Sequence, residues 1–299
     1  MKLGIDWGGT KIEAAVLTED RQIIWRMRQP TPQNDYDACL RVARGLVGAA
    51  DAEFSRFDHV GVGIPGSISP TTGLVRNANS QCLNGKSFET DLATALSRPV
   101  RMTNDANCFA LSEAIDGAGG GTACVFGVIL GTGVGGGIAL NGIVHQGHLN
   151  IAGEWGHTPL APLQDDEMPA PDCWCGRKGC IETYLSGPAF AKSYHAISGT
   201  AVDGPEIVAR LRTGDAAANA CFQAYISRLA RGLSTIINIL DPDVIVLGGG
   251  MSNVDEIYQS LPGAIKQYAF TDHFSASIKP AVHGDSSGVR GAAWLWDAR

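Results

Sequence analysis

The chain has 299 residues, of which 44% are hydrophobic, 18% are charged and 38 are glycine. This is enough for about two domains with packed cores, which excludes a disordered chain, a collagen-like repeat and a small disulfide-dependent fold. The 23 basic and 30 acidic residues give a net charge of −7 without blocks of like charge, which argues against nucleic acids and anionic membranes as partners and favours a small polar ligand.

The first part of the chain predicts an α/β layer that opens with a meander. Three short apolar or alternating runs, divided by Gly8-Gly9 and Glu19-Asp20, predict antiparallel strands. A helical pattern follows, and then a strand that ends at the breaker Pro65-Gly66. The predicted elements are, in chain order, strands at 2–7, 12–17 and 22–28, a helix at 37–50, strands at 59–64 and 99–102, and a helix at 106–114.

The second part repeats this α/β pattern. The predicted elements are strands at 123–130 and 137–140, a long amphipathic helix at 217–240, a buried strand at 243–247 and a final helical segment from Ser287. A glycine-rich stretch at 117–121 predicts a hinge. We therefore expect two α/β domains, residues 1–117 and 118–286, with a cleft between them and with a C-terminal helix at 287–299 packing back on the first domain.

Neither a membrane span nor an export signal is expected. Glycines divide the longest uncharged stretch, 122–144, into short pieces, and the N-terminus leads directly into a strand. We expect a cytoplasmic protein, in which the eight cysteines are free or metal-bound rather than paired.

Three glycine clusters at strand ends indicate phosphate binding. Asp6-Trp7-Gly8-Gly9-Thr10-Lys11 joins two strands, and its glycines let backbone N–H groups approach a phosphate, while Thr10 and Lys11 add donors. Asp6 is suited to holding Mg²⁺ through water. Gly131-Thr132-Gly133 has the same construction, and Gly248-Gly249-Gly250 follows a buried strand where adenine or ribose could lie. Each cluster taken alone could be a tight turn, but together they favour a nucleotide in an interdomain cleft. The spacing does not match a P-loop and fits a dinucleotide fingerprint poorly.

Asp105 is the candidate general base. Asn104-Asp105 lies between a predicted strand and a predicted helix, so the carboxylate is presented at the carboxyl end of the strand. Such a carboxylate could accept the proton of an attacking sugar hydroxyl. The alternative is a structural helix N-cap.

Three thiols in eight residues, Cys173, Cys175 and Cys180, follow His157 and predict a closed structural zinc site. A disulfide or three unconnected thiols are the alternatives. Glu154 and Glu182 flank this cluster. They could accept hydrogen bonds from vicinal sugar hydroxyls, or they could be solvated surface acids. The remaining cysteines are predicted to be core residues.

Taken together, these motifs resemble the ROK family of the actin and hexokinase-like ATPase superfamily. The resemblance rests on Asp6 to Lys11, Gly131 to Gly133, Glu154-Trp155-Gly156-His157 and Cys173-x-Cys175-Gly176-x-x-Gly179-Cys180-x-Glu182, and it covers essentially the whole chain. It implies two ribonuclease-H-like domains, an ATP-dependent sugar kinase and a homodimer. It also implies Asp105 as the base, with Asn104, Glu154, His157 and Glu182 on the sugar.

Within this family the chain looks most similar to bacterial fructokinases. That likeness lies in the segments 63–70, 77–85 and 285–294, and it places Asn79 near the sugar. Gln81-Cys82 departs from relatives that often carry an aromatic residue there. N-acetylglucosamine kinases share the phosphate and zinc motifs, so these motifs do not choose the sugar.

The expected reaction transfers a phosphoryl group from ATP·Mg²⁺ to the 6-hydroxyl of a hexose. Fructose, or mannose, is the first expectation, and N-acetylglucosamine or glucose is the alternative. Phosphates would lie on residues 8–11 and 131–133, with Gly249 and Gly250 at the nucleoside. A sugar-sensing repressor is a remote alternative, because the first strand leaves no room for a DNA-binding module and the charge is negative. A zinc hydrolase would need an open coordination position, which one histidine and three cysteines do not leave.

Overall fold

The computed structural model describes residues 1–297, which form two compact units. Unit 1 comprises residues 1–123, 137–153 and 282–297, and unit 2 comprises Cys124–Gly136 and Glu154–Ala281. The predicted second domain, 118–286, includes residues 137–153, whereas these residues belong to unit 1. Residues 298 and 299 of the predicted C-terminal helix lie outside the described residues.

The strands are, in chain order, β1 (Lys2–Trp7), β2 (Lys11–Leu17), β3 (Ile23–Pro30), β4 (Val60–Ile64), β5 (Ser67–Ile68), β6 (Val75–Arg76), β7 (Val100–Asn104), β8 (Cys124–Leu130), β9 (Val134–Leu140), β10 (Ile143–Val144), β11 (Val244–Gly248) and β12 (Ser277–Pro280). The helices are α1 (Tyr36–Phe54), α2 (Phe88–Leu96), α3 (Asp105–Asp116), α4 (Glu182–Leu185), α5 (Gly187–Ser198), α6 (Gly204–Arg212), α7 (Ala216–Leu240), α8 (Asp255–Ile265) and α9 (Ser287–Trp294).

The main sheet of unit 1 has the strand order β3-β2-β1-β4-β7. β1, β2 and β3 form the predicted antiparallel meander, while β4 is parallel to both β1 and β7. The carboxyl ends of β1, β4 and β7 therefore lie at one edge of the sheet. Asp6 and Asn104 lie at this edge, since both are at the ends of these strands.

Individual residues explain how helices α1 and α9 pack in unit 1. Asp35 caps α1 by accepting a hydrogen bond from the Ala38 amide at 2.9 Å. Apolar residues at helical spacing on α1 are buried in the unit 1 core. Helix α9 approaches the sheet so closely that a β-carbon on Gly61 would lie 1.8 Å from the Ala292 carbonyl oxygen. Only glycine permits that backbone contact.

The sheet that contains most strands of unit 2 has the order β10-β9-β8-β11-β12, and β11 is parallel to β8 and to β12. The division between the units falls within β9, after Gly136. The long helix α7 was predicted to within one residue at its start. Its cap, Asp215, accepts from the Ala218 amide at 2.7 Å, and the helix ends where Asp241 adopts a left-handed conformation. Within residues 1–297 no helix is both long and apolar enough to cross a membrane.

Candidate active site

The glycine turn between β1 and β2 is held in place by two side chains that follow β3. The Gly8 amide donates to the Lys11 carbonyl oxygen at 2.9 Å and closes the turn. The Thr31 hydroxyl donates to the Gly8 carbonyl oxygen at 2.6 Å, and the Gln33 side-chain amide donates to the Gly9 carbonyl oxygen at 3.0 Å. Gly9 and its neighbour Thr10 are exposed. The turn is therefore a supported, accessible loop, and no motif in the sequence marks Thr31 and Gln33 as its supports.

Asp6, at the end of β1, lies among other acids. Burial first, and the neighbouring acids Asp105 and Glu13 next, raise the pKa of its carboxyl to about 7. Gly288 of α9 packs directly on it, so a β-carbon there would lie 3.0 Å from the carboxylate. A divalent cation would relieve the repulsion between Asp6 and Asp105, and carboxylate oxygen is the ligand that Mg²⁺ prefers. The donor set at this position thus fits the predicted magnesium.

Asp105 is the first residue of α3, and its neighbour Asn104 is the N-cap. The Asn104 side-chain oxygen accepts from the Ala106 amide at 2.9 Å, and its side-chain nitrogen donates to the Gly66 carbonyl oxygen at 2.9 Å. Asp105 Oδ1 also accepts from Ala106 N, at 2.8 Å. The N-cap of α3 is therefore Asn104 rather than Asp105, although both side chains accept from the Ala106 amide. Its carboxylate lies close enough to Asp6 to raise the pKa of that residue.

Asn79 reaches the glycine turn from a neighbouring loop of unit 1. A β-carbon on Gly9 would lie 3.7 Å from Asn79 Oδ1. The loop is fixed by Asn84, whose side-chain oxygen accepts from Ala78 N at 2.9 Å and whose nitrogen donates to Ala78 O at 2.8 Å. Unit 1 therefore brings the predicted residues Asn79, Gly9, Asp6 and Asp105 to one region.

The glycine turn of unit 2 is organised by Glu182. The Val134 amide, which follows Gly131-Thr132-Gly133, donates to Glu182 Oε2 at 2.9 Å. A β-carbon on Gly133 would lie 2.7 Å from the same oxygen. The other oxygen, Oε1, accepts from the Trp174 indole at 2.6 Å. Glu182 thus connects the glycine turn to the cysteine-rich loop, a role that the sequence analysis did not predict.

The third glycine cluster lies against the same turn. Gly249 has a φ of +80°, and a β-carbon there would lie 2.6 Å from the Leu130 carbonyl oxygen and 3.0 Å from Gly131 N. The Gly187 amide, at the start of α5, donates to the Gly131 carbonyl oxygen at 2.8 Å. Gly250 begins the 3₁₀ turn Gly250–Asn253. Unit 2 therefore places two of the predicted glycine clusters next to each other.

Glu154 and His157 belong to a segment that packs on the strand following the turn. The Trp155 indole donates to the Gly135 carbonyl oxygen at 2.8 Å. A β-carbon on Gly156 would lie 2.0 Å from the Val134 carbonyl oxygen. Glu154 directly precedes the 3₁₀ turn Trp155–His157, so its backbone position is fixed close to the glycine turn of unit 2.

The four predicted metal ligands come together. The ligand atoms of His157, Cys173, Cys175 and Cys180 all lie within 4.8 Å of one another. The sulfurs of Cys175 and Cys180 are 3.6 Å apart, and Cys173 Sγ is 3.7 Å from His157 Nδ1. Ligands at about 2.0–2.3 Å from a central Zn²⁺ would be separated by about 3.5–3.8 Å in a tetrahedron. The spacing and chemistry of these atoms fit a tetrahedrally coordinated Zn²⁺ ion.

Comparison with known proteins identifies the family. The ROK family model matches residues 2–299. An N-acetyl-D-glucosamine kinase of Pasteurella multocida is 42% identical over 301 residues, which cover 99% of each chain. The chain therefore belongs to the ROK family, as its motifs predicted.

Two solved structures support the same assignment. A ROK hexokinase from Thermus thermophilus is 30% identical with a TM-score of 0.87, and the match covers 99% of this chain and 97% of that one. A ROK family glucokinase from Streptomyces griseus, in complex with glucose and AMPPNP, is 26% identical with a TM-score of 0.78 over 98% of each chain. The predicted α/β class, the actin and hexokinase-like fold of two domains, is confirmed.

Proposed function

We propose that the protein transfers the γ-phosphoryl group of ATP to the 6-hydroxyl of N-acetyl-D-glucosamine. The observation that carries this proposal is the 42% identity to the Pasteurella multocida kinase over nearly the whole of both chains. The sequence motifs favour fructose first, with the amino sugar as the alternative. The relatives support that alternative better, and the phosphate and cysteine motifs are compatible with either sugar.

Asp105 is the proposed general base. It would accept the proton of the sugar 6-hydroxyl as that oxygen attacks phosphorus in line, giving the sugar 6-phosphate and ADP. Asn104 holds the start of α3 through Ala106 and Gly66, so the base has a fixed backbone. A fixed base is what phosphoryl transfer needs, because its catalysis depends mostly on positioning and charge neutralisation.

The two supported glycine turns are the proposed phosphate-binding loops. In unit 1, residues 8–11 would donate backbone and side-chain N–H and O–H groups to phosphate oxygens, and in unit 2 residues 131–133 would do the same. Gly249 and Gly250 would lie along the nucleoside. Asp6 would hold Mg²⁺ through water. When bound, the ion neutralises charge on the β- and γ-phosphates.

The sugar ligands are proposed to be Asn79, Asn104, Glu154, His157 and Glu182. Glu182 also has the structural role described above, because its two oxygens accept from Val134 and Trp174. We assign zinc to the four-residue cluster, where three thiolates and one imidazole would fill a tetrahedral shell. The metal would then fix both His157 and the start of α4, on which Glu182 lies.

A panel of sugars tests the proposed function. Purified protein with ATP and Mg²⁺ is assayed for kcat/KM with N-acetyl-D-glucosamine, N-acetylmannosamine, glucose, mannose and fructose. The proposal expects the highest value for N-acetyl-D-glucosamine and phosphate on its 6-oxygen by NMR. A higher value for fructose would restore the first expectation. Absence of turnover with every sugar, together with sugar-dependent DNA binding in a gel shift, would instead support a repressor. The homodimer and the cytoplasmic location remain predictions, and light scattering tests the former.

A further inference from the structure

Two cysteines outside the proposed zinc cluster lie side by side in unit 1. The sulfur of Cys39, on α1, is 3.8 Å from the sulfur of Cys82, in the 3₁₀ turn Gln81–Leu83. Both thiols are free in this structure, and Cys39 is fully buried whereas Cys82 is half-buried. A disulfide requires sulfurs about 2.05 Å apart. The two sulfurs, now 3.8 Å apart, would need to approach each other by about 1.8 Å.

We propose that Cys39 and Cys82 form a peroxide-sensitive dithiol site whose oxidation to a disulfide lowers activity toward the sugar. The modification itself depends only on the two thiols, while its effect on activity rests on the proposed function. Intracellular disulfides, where they occur, are usually transient and redox-sensing rather than structural. Redox-sensing cysteines often lie next to a second, resolving thiol, and Cys82 and Cys39 are neighbours of this kind.

The difference in exposure between the two thiols determines which of them reacts first with peroxide. Burial first, and the neighbouring Cys82 next, raise the pKa of the Cys39 thiol to about 12. Cys82 is the thiol that peroxide can reach, since it is the less buried of the two. Its thiolate attacks one peroxide oxygen, the O–O bond breaks, and the departing hydroxide takes up a proton to become water. Cys82 is left as a sulfenic acid.

The second step closes the disulfide. The Cys39 sulfur attacks the sulfur of the sulfenic acid, the S–O bond breaks, and the departing hydroxide takes the Cys39 proton to form a second water. The two cysteines together lose two electrons, and one hydrogen peroxide is reduced to two waters. A small-molecule thiol would reverse the bond by exchange.

The pair connects two segments that support the proposed active site. Cys39 Sγ lies 3.7 Å from the Pro32 carbonyl oxygen, between Thr31 and Gln33, the residues that hold the glycine turn of unit 1. Cys82 follows Gln81, whose side-chain amide donates to the Ala78 carbonyl oxygen at 3.3 Å. Ala78 directly precedes Asn79. Drawing the two sulfurs together would therefore displace the Asn79 loop, the glycine turn, or both.

The chemistry is tested by peptide mapping, which does not depend on the kinase activity. The full-length protein is treated with hydrogen peroxide at neutral pH, its remaining thiols are alkylated, and it is digested with trypsin. Cys39 and Cys82 fall in separate tryptic peptides, 29–41 and 77–86, each of which contains one cysteine. We expect these peptides linked, with the mass of their sum less two hydrogens, and separated again by dithiothreitol. Oxidation of Cys82 to sulfinic acid without the linked peptide, or no reaction at either thiol, would overturn the proposal.

The effect on activity is measured as the ratio of kcat/KM before and after oxidation in each variant. A displacement of about 1 Å in a substrate-binding loop can cost about 100-fold, so we expect a fall of about tenfold or more in the wild type. Cys82→Ser and Cys39→Ala should abolish the linked peptide and most of this fall. Cys124→Ser, which removes a half-buried thiol of unit 2, should behave like the wild type. A linked peptide with unchanged kcat/KM would refute the effect on the loop, whereas reduced protein without turnover would refute only the proposed function.

Discussion

Replacing Asp6 with Asn should make the protein more stable above neutral pH while abolishing its activity. The pKa of the Asp6 carboxyl is raised from 3.8 to about 7 by burial first and by the acids Asp105 and Glu13 next. One pKa unit corresponds to about 1.4 kcal/mol, so ionised Asp6 lowers the free energy of unfolding by up to about 4 kcal/mol. Asn has nearly the same shape and carries no charge, so it would remove this unfavourable interaction.

The sign of the pH dependence follows from proton binding. Between pH 3.8 and about 7 the folded state holds the Asp6 proton more tightly than the unfolded state does, so this residue makes stability fall as the pH rises through that window. The advantage of Asp6→Asn should therefore be small near pH 4, grow toward pH 7 and be complete at pH 8. The cost of the wild-type residue therefore comes from burial of its charge first and from repulsion by Asp105 and Glu13 next, and a bound cation would offset both.

Urea unfolding, followed by tryptophan fluorescence in magnesium-free buffer at several pH values, measures the effect. Asp20→Asn, which removes the same charge from an exposed residue beyond the end of β2, is the matched control and should change stability by less than about 0.5 kcal/mol. The reasoning about Asp6 is refuted if Asp6→Asn is no more stable than the wild type at pH 8. A gain that does not vary with pH would refute it equally.

Three further substitutions test the proposed site. Asp105→Ala should lower kcat by about 10²–10⁴-fold, the contribution typical of a general base, with a urea midpoint no lower than that of the wild type, because the substitution also removes repulsion on Asp6. Near-normal turnover would show that Asp105 is not the general base. Trp174→Phe removes the 2.6 Å hydrogen bond to Glu182 from a side chain that is 65% exposed. Because such a bond is worth about 1 kcal/mol, kcat/KM for ATP should fall by about fivefold. An unchanged kcat/KM would show that this hydrogen bond to Glu182 does not affect ATP binding at the glycine turn. Cys175→Ser should reduce the zinc content from about one per chain to near zero by metal analysis and raise the sugar KM, whereas unaltered sugar binding would show that metal and sugar sites are independent.

Elements with a strong local pattern could be predicted from the sequence. The β1–β2 turn at Gly8-Gly9 and the long helix α7 appear close to their predicted bounds, because tandem glycines and a 3.6-residue apolar period act over short distances. The strand β9 was predicted from 137 but begins at Val134. The three glycines at 135–137 weaken the strand pattern, yet Gly137 is required there, since a β-carbon would lie 2.3 Å from the Ala106 carbonyl oxygen. A close backbone approach of this kind leaves no periodic signal.

The supporting contacts of the site could not be predicted, because they join residues far apart in the chain. Thr31 and Gln33 bond to carbonyls 23 and 24 residues earlier, and Cys39 meets Cys82 across 43 residues. A hydroxyl or thiol can serve many partners, so its residue type does not identify one of them. The motif residues could be predicted from the sequence because few functions use their side chains in that combination, as in the proposed ligand set of His157 and three cysteines.

In unit 2 the Glu182 side chain connects the cluster of His157, Cys173, Cys175 and Cys180 to the glycine turn. Glu182 follows Cys180 by two residues and accepts a hydrogen bond from Val134 N at the end of the turn. Trp174, between Cys173 and Cys175, donates to the other oxygen of Glu182. The cysteine loop cannot loosen without releasing at least one of these hydrogen bonds. On the proposed function, removal of zinc should therefore weaken nucleotide binding as well as sugar binding, even though none of the four proposed ligands belongs to the proposed phosphate-binding turn. The proposed zinc would thus act on catalysis through the position of the Glu182 carboxylate rather than through its own charge.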